Sequence, residues 1–148
     1  MFPSKISLHP AASHDFDYIY GLCESTMRGY VEAAFGDRFI SIAHPILMSL
    51  VTRGLFCLIY ANGKRVGALA FERHETHYQL EEIYVEPANQ NRGIGKAVVA
   101  MIVTEALAQE KPVRLQMLAS NRAHTFYARE GFRITRVTPQ VIYWERTR

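Results

Sequence analysis

Apolar residues alternate with polar ones in several short stretches of this chain and recur at helical spacing in others. The alternation predicts strands, and the helical spacing predicts three longer helices and one short one. The predicted strands cover residues 6–8, 55–61, 65–72, 79–85, 113–118, 132–137 and 140–144, and the predicted helices cover residues 12–27, 37–52, 94–107 and 121–131. Strands that alternate with helices predict a mixed α/β fold.

Two connections define the predicted sheet more closely. Asn62-Gly63 stands between two strands, and this pair is typical of a tight hairpin turn. The strands that end at Val85 and Leu118 are joined by the long helix, so we expect them to be parallel with a right-handed crossover. The length of 148 residues suits a single domain over residues 1–148.

The most informative stretch is residues 90–96, Gln-Asn-Arg-Gly-Ile-Gly-Lys, between a strand and the long helix. The first N–H groups of a helix lack intrahelical partners and carry partial positive charge, so this loop suits a phosphate or pyrophosphate. A Walker-type loop needs a glycine in place of Gln90 and a Ser or Thr in place of Ala97. A dinucleotide fingerprint needs its third glycine in place of Val98. A strand-to-helix turn without a ligand is the remaining alternative.

Two motifs stand about thirty residues apart. The first is Val-x-Pro at the end of a strand, followed by Gln-x-x-Gly-x-Gly, at residues 85–95. The second, at residues 121–132, reads Asn-Arg-Ala-His-Thr-Phe-Tyr-Ala-Arg-Glu-Gly-Phe, where Asn121 can cap a helix and Gly131 can end it. Together they resemble the GNAT (Gcn5-related N-acetyltransferase) superfamily. The resemblance implies a GNAT-like domain with a mixed central sheet of about six to seven strands, about four flanking helices, and a parallel strand pair that forms an acyl-CoA cleft.

The resemblance also implies residue roles in binding acetyl-CoA. The backbone of residues 90–96 would hold the pyrophosphate, and Asn121 would bond the pantetheine arm or a water. A backbone N–H near Tyr84 or Val85 could stabilise an oxyanion. The residues assigned to cofactor binding are Ile83, Tyr84, Val85, Gln90, Asn91, Arg92, Gly93, Ile94, Gly95, Lys96, Asn121 and Phe126.

Transfer of an acetyl group to an amine requires proton transfers. An alkyl amine is protonated at neutral pH and must lose that proton before it attacks a thioester. Glu81 and Glu82 lie on the strand that leads into the loop; because strand side chains alternate, we expect only one to reach the cleft unless a bulge intervenes. Both could instead be solvated strand residues. Tyr127 is the expected acid for the departing thiolate, and an aromatic core residue is the alternative.

The acceptor is less defined. Residues 26–36 resemble a variant found in one uncharacterised branch of bacterial acetyltransferases, although that branch usually has Trp-Gly-Trp where this chain has Phe-Gly-Asp. Within this segment Tyr30 and Glu32 could bind a cationic amine, or could belong to an ordinary amphipathic helix.

Composition narrows the classes of function. The net charge is +3 without a run of five like charges, which disfavours a nucleic-acid partner. No apolar run reaches the ~20 residues of a membrane span, and the first residues do not resemble a signal peptide, so we expect a cytoplasmic protein with no membrane partner. His74 and His77 do not predict a metal site, because no third ligand is evident nearby.

The sequence therefore predicts an N-acetyltransferase. It would move an acetyl group from acetyl-CoA to a primary amine of a small-molecule or peptide acceptor by direct attack in a ternary complex. The alternative is a catalytically silent acyl-CoA-binding regulatory module on the same fold. The sequence is compatible with a monomer and with a homodimer.

Overall fold

The computed structural model describes residues 5–148, in which seven strands and four α-helices are found. The strands are β1 (Ile6–Pro10), β2 (Phe56–Ala61), β3 (Lys64–Arg73), β4 (Tyr78–Val85), β5 (Val113–Leu118), β6 (Arg133–Val137) and β7 (Val141–Arg146). The helices are α1 (Phe16–Phe35), α2 (Phe39–Thr52), α3 (Ile94–Ala108) and α4 (His124–Arg129). None of these helices is long and apolar enough to cross a membrane.

The strands form one mixed sheet in the order β1-β2-β3-β4-β5-β7-β6. All neighbours are antiparallel except β4 and β5, which are parallel and joined by α3. The predicted fold class and parallel pair are therefore confirmed. The hairpin between β2 and β3 is confirmed as well, because Asn62 and Gly63 have φ values of 52° and 81°, as a tight primed turn requires.

The first helix is longer than the sequence predicted. It runs to Phe35, whereas the predicted helix ended at residue 27. Gly29 does not end the helix: Arg28 pairs with Glu32 across that position at 3.2 Å and with Glu24 one turn earlier at 2.7 Å, and both pairs support a helix. The additional turns bring α1 alongside the segment that follows β5.

Helices cover both faces of the sheet, so the fold has two hydrophobic cores. The first core lies between the sheet and α3 and α4, and the second core lies between the sheet and α1 and α2. Large members of the first core are Leu69, Leu80, Val98, Val99, Tyr127 and Trp144, and those of the second are Ile19, Phe39, Leu47, Phe56 and Tyr84. Burial of these side chains is the main source of stability in such a fold.

β3 and β4 approach each other closely at Gly67. A Cβ atom at this position would lie 2.1 Å from the backbone oxygen of Tyr84. Only glycine fits such an approach without movement of the backbone. The contact fixes the end of β4 that leads into the glycine-rich loop.

Candidate active site

A β-bulge divides β4 at Glu81. Leu80 pairs with Phe71 and Glu82 pairs with Ala70, so Glu81 is one extra residue on its strand. Strand side chains alternate between faces, and an extra residue reverses the alternation beyond it. The reversal is visible in the packing, because Leu80 belongs to the first core and Tyr84, four residues on, belongs to the second.

The bulge also marks the point where β4 and β5 separate. Their parallel pairing covers Tyr78 to Leu80 on β4 and Val113 to Leu115 on β5, and it does not continue toward Val85. Both strands extend further, so an open cleft lies between their carboxyl-terminal ends. A cleft bounded by two strand edges presents free backbone donors and acceptors to a ligand.

Backbone hydrogen bonds show which β4 amides face this cleft. The Glu86 N–H donates to the Val66 oxygen at 2.8 Å, on the β3 side, whereas the Val85 oxygen accepts from Gln90 Nε2 at 3.0 Å. Because successive residues point to opposite edges of a strand, the N–H groups of Val85 and Ile83 face the cleft. Of the two residues that the sequence suggested for an oxyanion site, the geometry favours Val85 over Tyr84.

The glycine-rich loop leads directly into the N-terminus of α3. Gly93 has φ of 79° and precedes α3, and its oxygen accepts the first helical hydrogen bond, from the Ala97 N–H at 3.0 Å. The preceding amides, those of residues 94–96, have no intrahelical partner, and the first turn contains no acidic residue. In the described part of the chain, Arg92 and Lys96 belong to no ion pair. This arrangement favours a polyanion such as a pyrophosphate.

The segment before α4 differs from the prediction. Asn121 is not the N-cap, because the helix begins at His124 and Ala123 occupies the cap position. The Asn121 Oδ1 instead accepts a hydrogen bond from the Ala123 N–H at 2.9 Å, which forms a turn before the helix. Phe126 lies beside the loop, with its Cζ 3.9 Å from the position that a Cβ of Gly95 would occupy.

The end of α4 holds Tyr127 in place. The Phe132 N–H donates to the Tyr127 oxygen at 3.0 Å and the Gly131 N–H to the Ala128 oxygen at 3.2 Å, a Schellman motif that confirms the predicted helix end. The ring packs against Phe132 and Trp144 in the first core. Burial, aided by the negative charge of Glu82, raises the pKa of Tyr127 well above its ordinary value. The phenol therefore stays protonated at physiological pH.

Glu82 is the carboxyl that follows the bulge. The side chain is partly exposed, but protein atoms displace most of the water around its carboxyl. This desolvation raises the pKa of the carboxyl to about 7. The hydroxyl of Tyr84 favours the charged form, and the charge of Glu81 opposes it. The pKa of Glu81 is also raised, by burial and by Glu72. A carboxyl with a pKa near 7 is suited to act as a general base.

Of the two acceptor residues suggested by the sequence, Tyr30 lies beside the segment that follows β5 and Glu32 does not. The Tyr30 oxygen accepts a hydrogen bond from Ser120 Oγ at 2.8 Å, which joins α1 to the segment after β5. The Ala119 N–H donates to the Gln140 oxygen at 2.8 Å, which brings the turn between β6 and β7 to the same segment. Glu32 is paired with Arg28 on the helix surface. Neither Ser120 nor Gln140 was predicted, since their proximity depends on tertiary packing.

Two other surface features involve none of the cleft residues: a depression beside β1 and a pair of histidines. A shallow depression of about 720 Å³ lies at the far edge of the sheet, and its lining includes His9, His14 and Arg65 but none of the cleft residues. The rings of His74 and His77 stack at a centroid distance of 4.7 Å. Across residues 5–148, no three His, Cys, Asp or Glu side chains are grouped closely enough to hold a metal ion.

Comparison with known proteins places the fold and motifs in a family. A sequence model of the acetyltransferase (GNAT) domain matches residues 52–134, more than half of the chain. The chain therefore belongs to the GNAT acetyltransferase family. No curated protein was found to be similar in sequence.

Solved structures of low sequence identity share the fold. The PaiA N-acetyltransferase from Thermoplasma acidophilum, in complex with coenzyme A, is 14% identical with a TM-score of 0.78 and coverage of 97% of this chain and 99% of that one. Ard1 from Thermoplasma volcanium is 17% identical, with a TM-score of 0.73 and coverage of 95% and 96%. An acetyltransferase from Thermus thermophilus is 16% identical, with a TM-score of 0.72 and coverage of 99% of both chains.

Proposed function

We propose that this protein is an acetyl-CoA-dependent N-acetyltransferase that acts on a primary amine of a small-molecule or peptide acceptor by direct attack in a ternary complex. The observation that carries the proposal is the bulge at Glu81, because Glu82 follows it on the half of β4 that borders the cleft and leads into the glycine-rich loop. The structure of PaiA in complex with coenzyme A, which shares this fold, supports the choice of cofactor.

The loop and cleft fit an acyl-CoA. The amides of residues 94–96, with the unpaired charges of Arg92 and Lys96, are suited to hold a pyrophosphate. The open edges of β4 and β5 are suited to an extended amide-containing arm, because both edges offer backbone hydrogen-bonding groups. When bound, an acetyl-CoA supplies an acetyl group on a thioester, which is reactive toward a neutral amine.

Each cleft residue then has one task. Glu82 accepts the proton of the acceptor amine, directly or through water, because its pKa of about 7 leaves it largely ionised above neutral pH. The N–H groups of Ile83 and Val85 are available to stabilise negative charge on a carbonyl oxygen. Tyr127 remains a phenol and can donate its proton to a leaving thiolate.

The test combines binding with turnover. We expect calorimetric titration to give micromolar binding of acetyl-CoA and desulfo-CoA and none of ATP, since only the first two carry the pantetheine arm. Thiol release in the presence of a panel of amines then measures transfer, with Glu82→Gln as the matched inactive variant. Absence of CoA binding would overturn the proposal. Binding without transfer to any amine would instead favour the silent acyl-CoA-binding module.

A further inference from the structure

The hydroxyl of Tyr84 is a buried polar group without a partner. The side chain is 2% exposed and packs in the second core beside Phe56. Among residues 5–148, its oxygen is the one buried side-chain nitrogen or oxygen that has no hydrogen-bond partner. Burial of an unpaired hydroxyl costs about 1–3 kcal/mol, so a phenylalanine would be the more stable residue for packing alone. A retained hydroxyl therefore indicates a use.

Titratable groups from three elements surround this part of the cleft. On β4, Glu82 stands two residues before Tyr84 on the same face, and Glu81 occupies the bulge. Cys23 of α1 lies near the Tyr84 hydroxyl, and Tyr127 of α4 lies within electrostatic range of Glu82. The hydroxyl forms no hydrogen bond of regular geometry with Cys23 or Glu82 in this structure, although both groups are near enough to influence its titration.

Of these neighbours, Glu82 is the better acceptor for the hydroxyl. Burial raises the pKa of the Cys23 thiol to about 11, so the sulfur stays protonated and accepts only weakly. An ionised carboxylate accepts strongly, and a hydrogen bond to it is about twice as strong as one between neutral groups. Both side chains project from the same strand face, so a change in the torsion angles of the Glu82 side chain can move its carboxylate toward the hydroxyl.

We propose that Tyr84 is a positioning residue for Glu82: its hydroxyl donates a hydrogen bond to the ionised Glu82 carboxylate and holds it at the edge of the cleft. This inference rests on the proposed function, in which Glu82 is the base. It adds a role for a side chain that the sequence assigned to the site only through its backbone. The same bond favours the ionised form of Glu82, because a hydrogen bond to the charged form of a carboxyl lowers its pKa.

Tyr84→Phe tests this role by removal of one oxygen atom. The Glu82 carboxyl carbon is followed by ¹³C NMR against pH in the full chain, with its signal assigned by its loss in Glu82→Gln. We expect the pKa of Glu82 to rise by about one pH unit in Tyr84→Phe, the shift that follows from loss of one hydrogen bond to a charged group. Tyr78→Phe is the matched control, because it alters a buried tyrosine on the same strand before the bulge. It should leave the Glu82 titration unchanged.

Activity provides the second measurement. The rise of kcat/KM with pH should move to higher pH by the same amount in Tyr84→Phe, while the KM for acetyl-CoA stays within about twofold, since the loop is untouched. An unchanged Glu82 titration in a folded Tyr84→Phe protein would overturn the inference. If the titration shifts but wild-type protein transfers acetyl to no amine, the contact is supported and the proposed function fails, so the two failures are distinguishable.

Discussion

The two halves of β4 have the same backbone direction but different uses. Before the bulge, Tyr78 and Leu80 are buried in the first core, and this half is paired with both β3 and β5. After the bulge, Glu82 and Tyr84 face the second core, and this half is paired with β3 alone. The first half has ordinary sheet contacts, whereas the second contains a carboxyl with a raised pKa and an unpaired hydroxyl.

The difference shows how one inserted residue produces a site within a sheet. The bulge reverses the side-chain alternation and coincides with the end of the β4–β5 pairing. It thereby brings a carboxyl, free amides and a cleft to one place. The carboxyl of Glu82 and the hydroxyl of Tyr84 both lower the stability of the fold. Active sites commonly contain such destabilising groups on an otherwise stable scaffold.

Deletion of Glu81 should have the largest effect. Without the extra residue, Glu82 and Tyr84 would turn toward the first core and Ile83, which lies between them, toward the second. We expect a loss of more than about 3 kcal/mol in unfolding free energy, because a carboxyl would enter an apolar core and the side chains after the bulge would lose their packing. Thermal melts and CoA titration measure the outcome. Glu81→Ala, which keeps the bulge, is the control, and a deletion variant that melts like it would contradict this account.

Glu82→Gln should reduce catalysis strongly without unfolding the protein. Removal of a general base typically lowers the rate by about 10²–10⁴-fold, and we expect a loss in this range in kcat/KM, with CoA affinity retained. In wild type, kcat/KM should rise with pH through about 7, as Glu82 loses its proton. Stopped or continuous thiol assays over a pH series measure both. A variant with wild-type turnover would remove Glu82 from the mechanism.

Tyr127→Phe should lower kcat by about 10²-fold, since a general acid contributes at least this much when leaving-group protonation limits the rate. Because the pKa of Tyr127 is raised well above its ordinary value, wild-type activity should not fall as the pH rises from 8 to about 9.5. Steady-state kinetics with calorimetric titration separate turnover from binding. Unchanged kcat would leave Tyr127 as a core residue only.

Gly67→Ala should destabilise the protein by about 2 kcal/mol, a typical cost of overpacking, because the new Cβ would overlap the backbone oxygen of Tyr84. The shift should displace the second half of β4 and lower turnover. Gly21→Ala is the matched control. It lies on the exposed side of α1 with no atom within 4 Å of the added carbon, and it should stabilise the helix slightly. Chemical denaturation of both variants gives the comparison, and equal stabilities would refute it.

Glu82→Gln should also stabilise the fold, by about 1–2 kcal/mol above pH 7. Folding raises the pKa of Glu82 from its reference of 4.5 to about 7, so the folded state binds the proton more tightly than the unfolded state. Wild-type stability is therefore lost as pH rises from about 4.5 to 7, and a glutamine does not share this loss. The difference between the two proteins should be near zero at pH 4.5 and level above pH 7. A constant difference would show that Glu82 titrates normally.

Much of the fold followed from the sequence, because its signals are local. The period-two pattern predicted β5 with the bounds that the structure has, and Asn62-Gly63 predicted its hairpin. The sequence prediction ended α1 too early because it relied on apolar periodicity. The last turns of the helix are supported instead by the ion pairs of Arg28. The boundary error does not alter the topology.

The site was predictable in part. The loop at residues 90–96 follows from its glycines and charges, and the structure gives it the free helix N-terminus that was expected. The bulge had a signal, since Glu81 and Glu82 are two adjacent polar residues that interrupt the alternation in β4. The unpaired hydroxyl of Tyr84 had no signal in the sequence, because the residues around it come from α1 and their proximity depends on packing between distant segments.

The short pairing between β4 and β5 has a mechanical consequence. The sheet consists of a four-stranded antiparallel block, β1 to β4, and a three-stranded antiparallel block, β5 to β7, joined by three residue pairs. Fewer backbone pairs join the two blocks than join the strands within either block, so we expect any rotation of one block against the other to occur here and to leave the antiparallel ladders intact. The width of the cleft is therefore the dimension of the sheet that can change while both blocks keep their internal geometry.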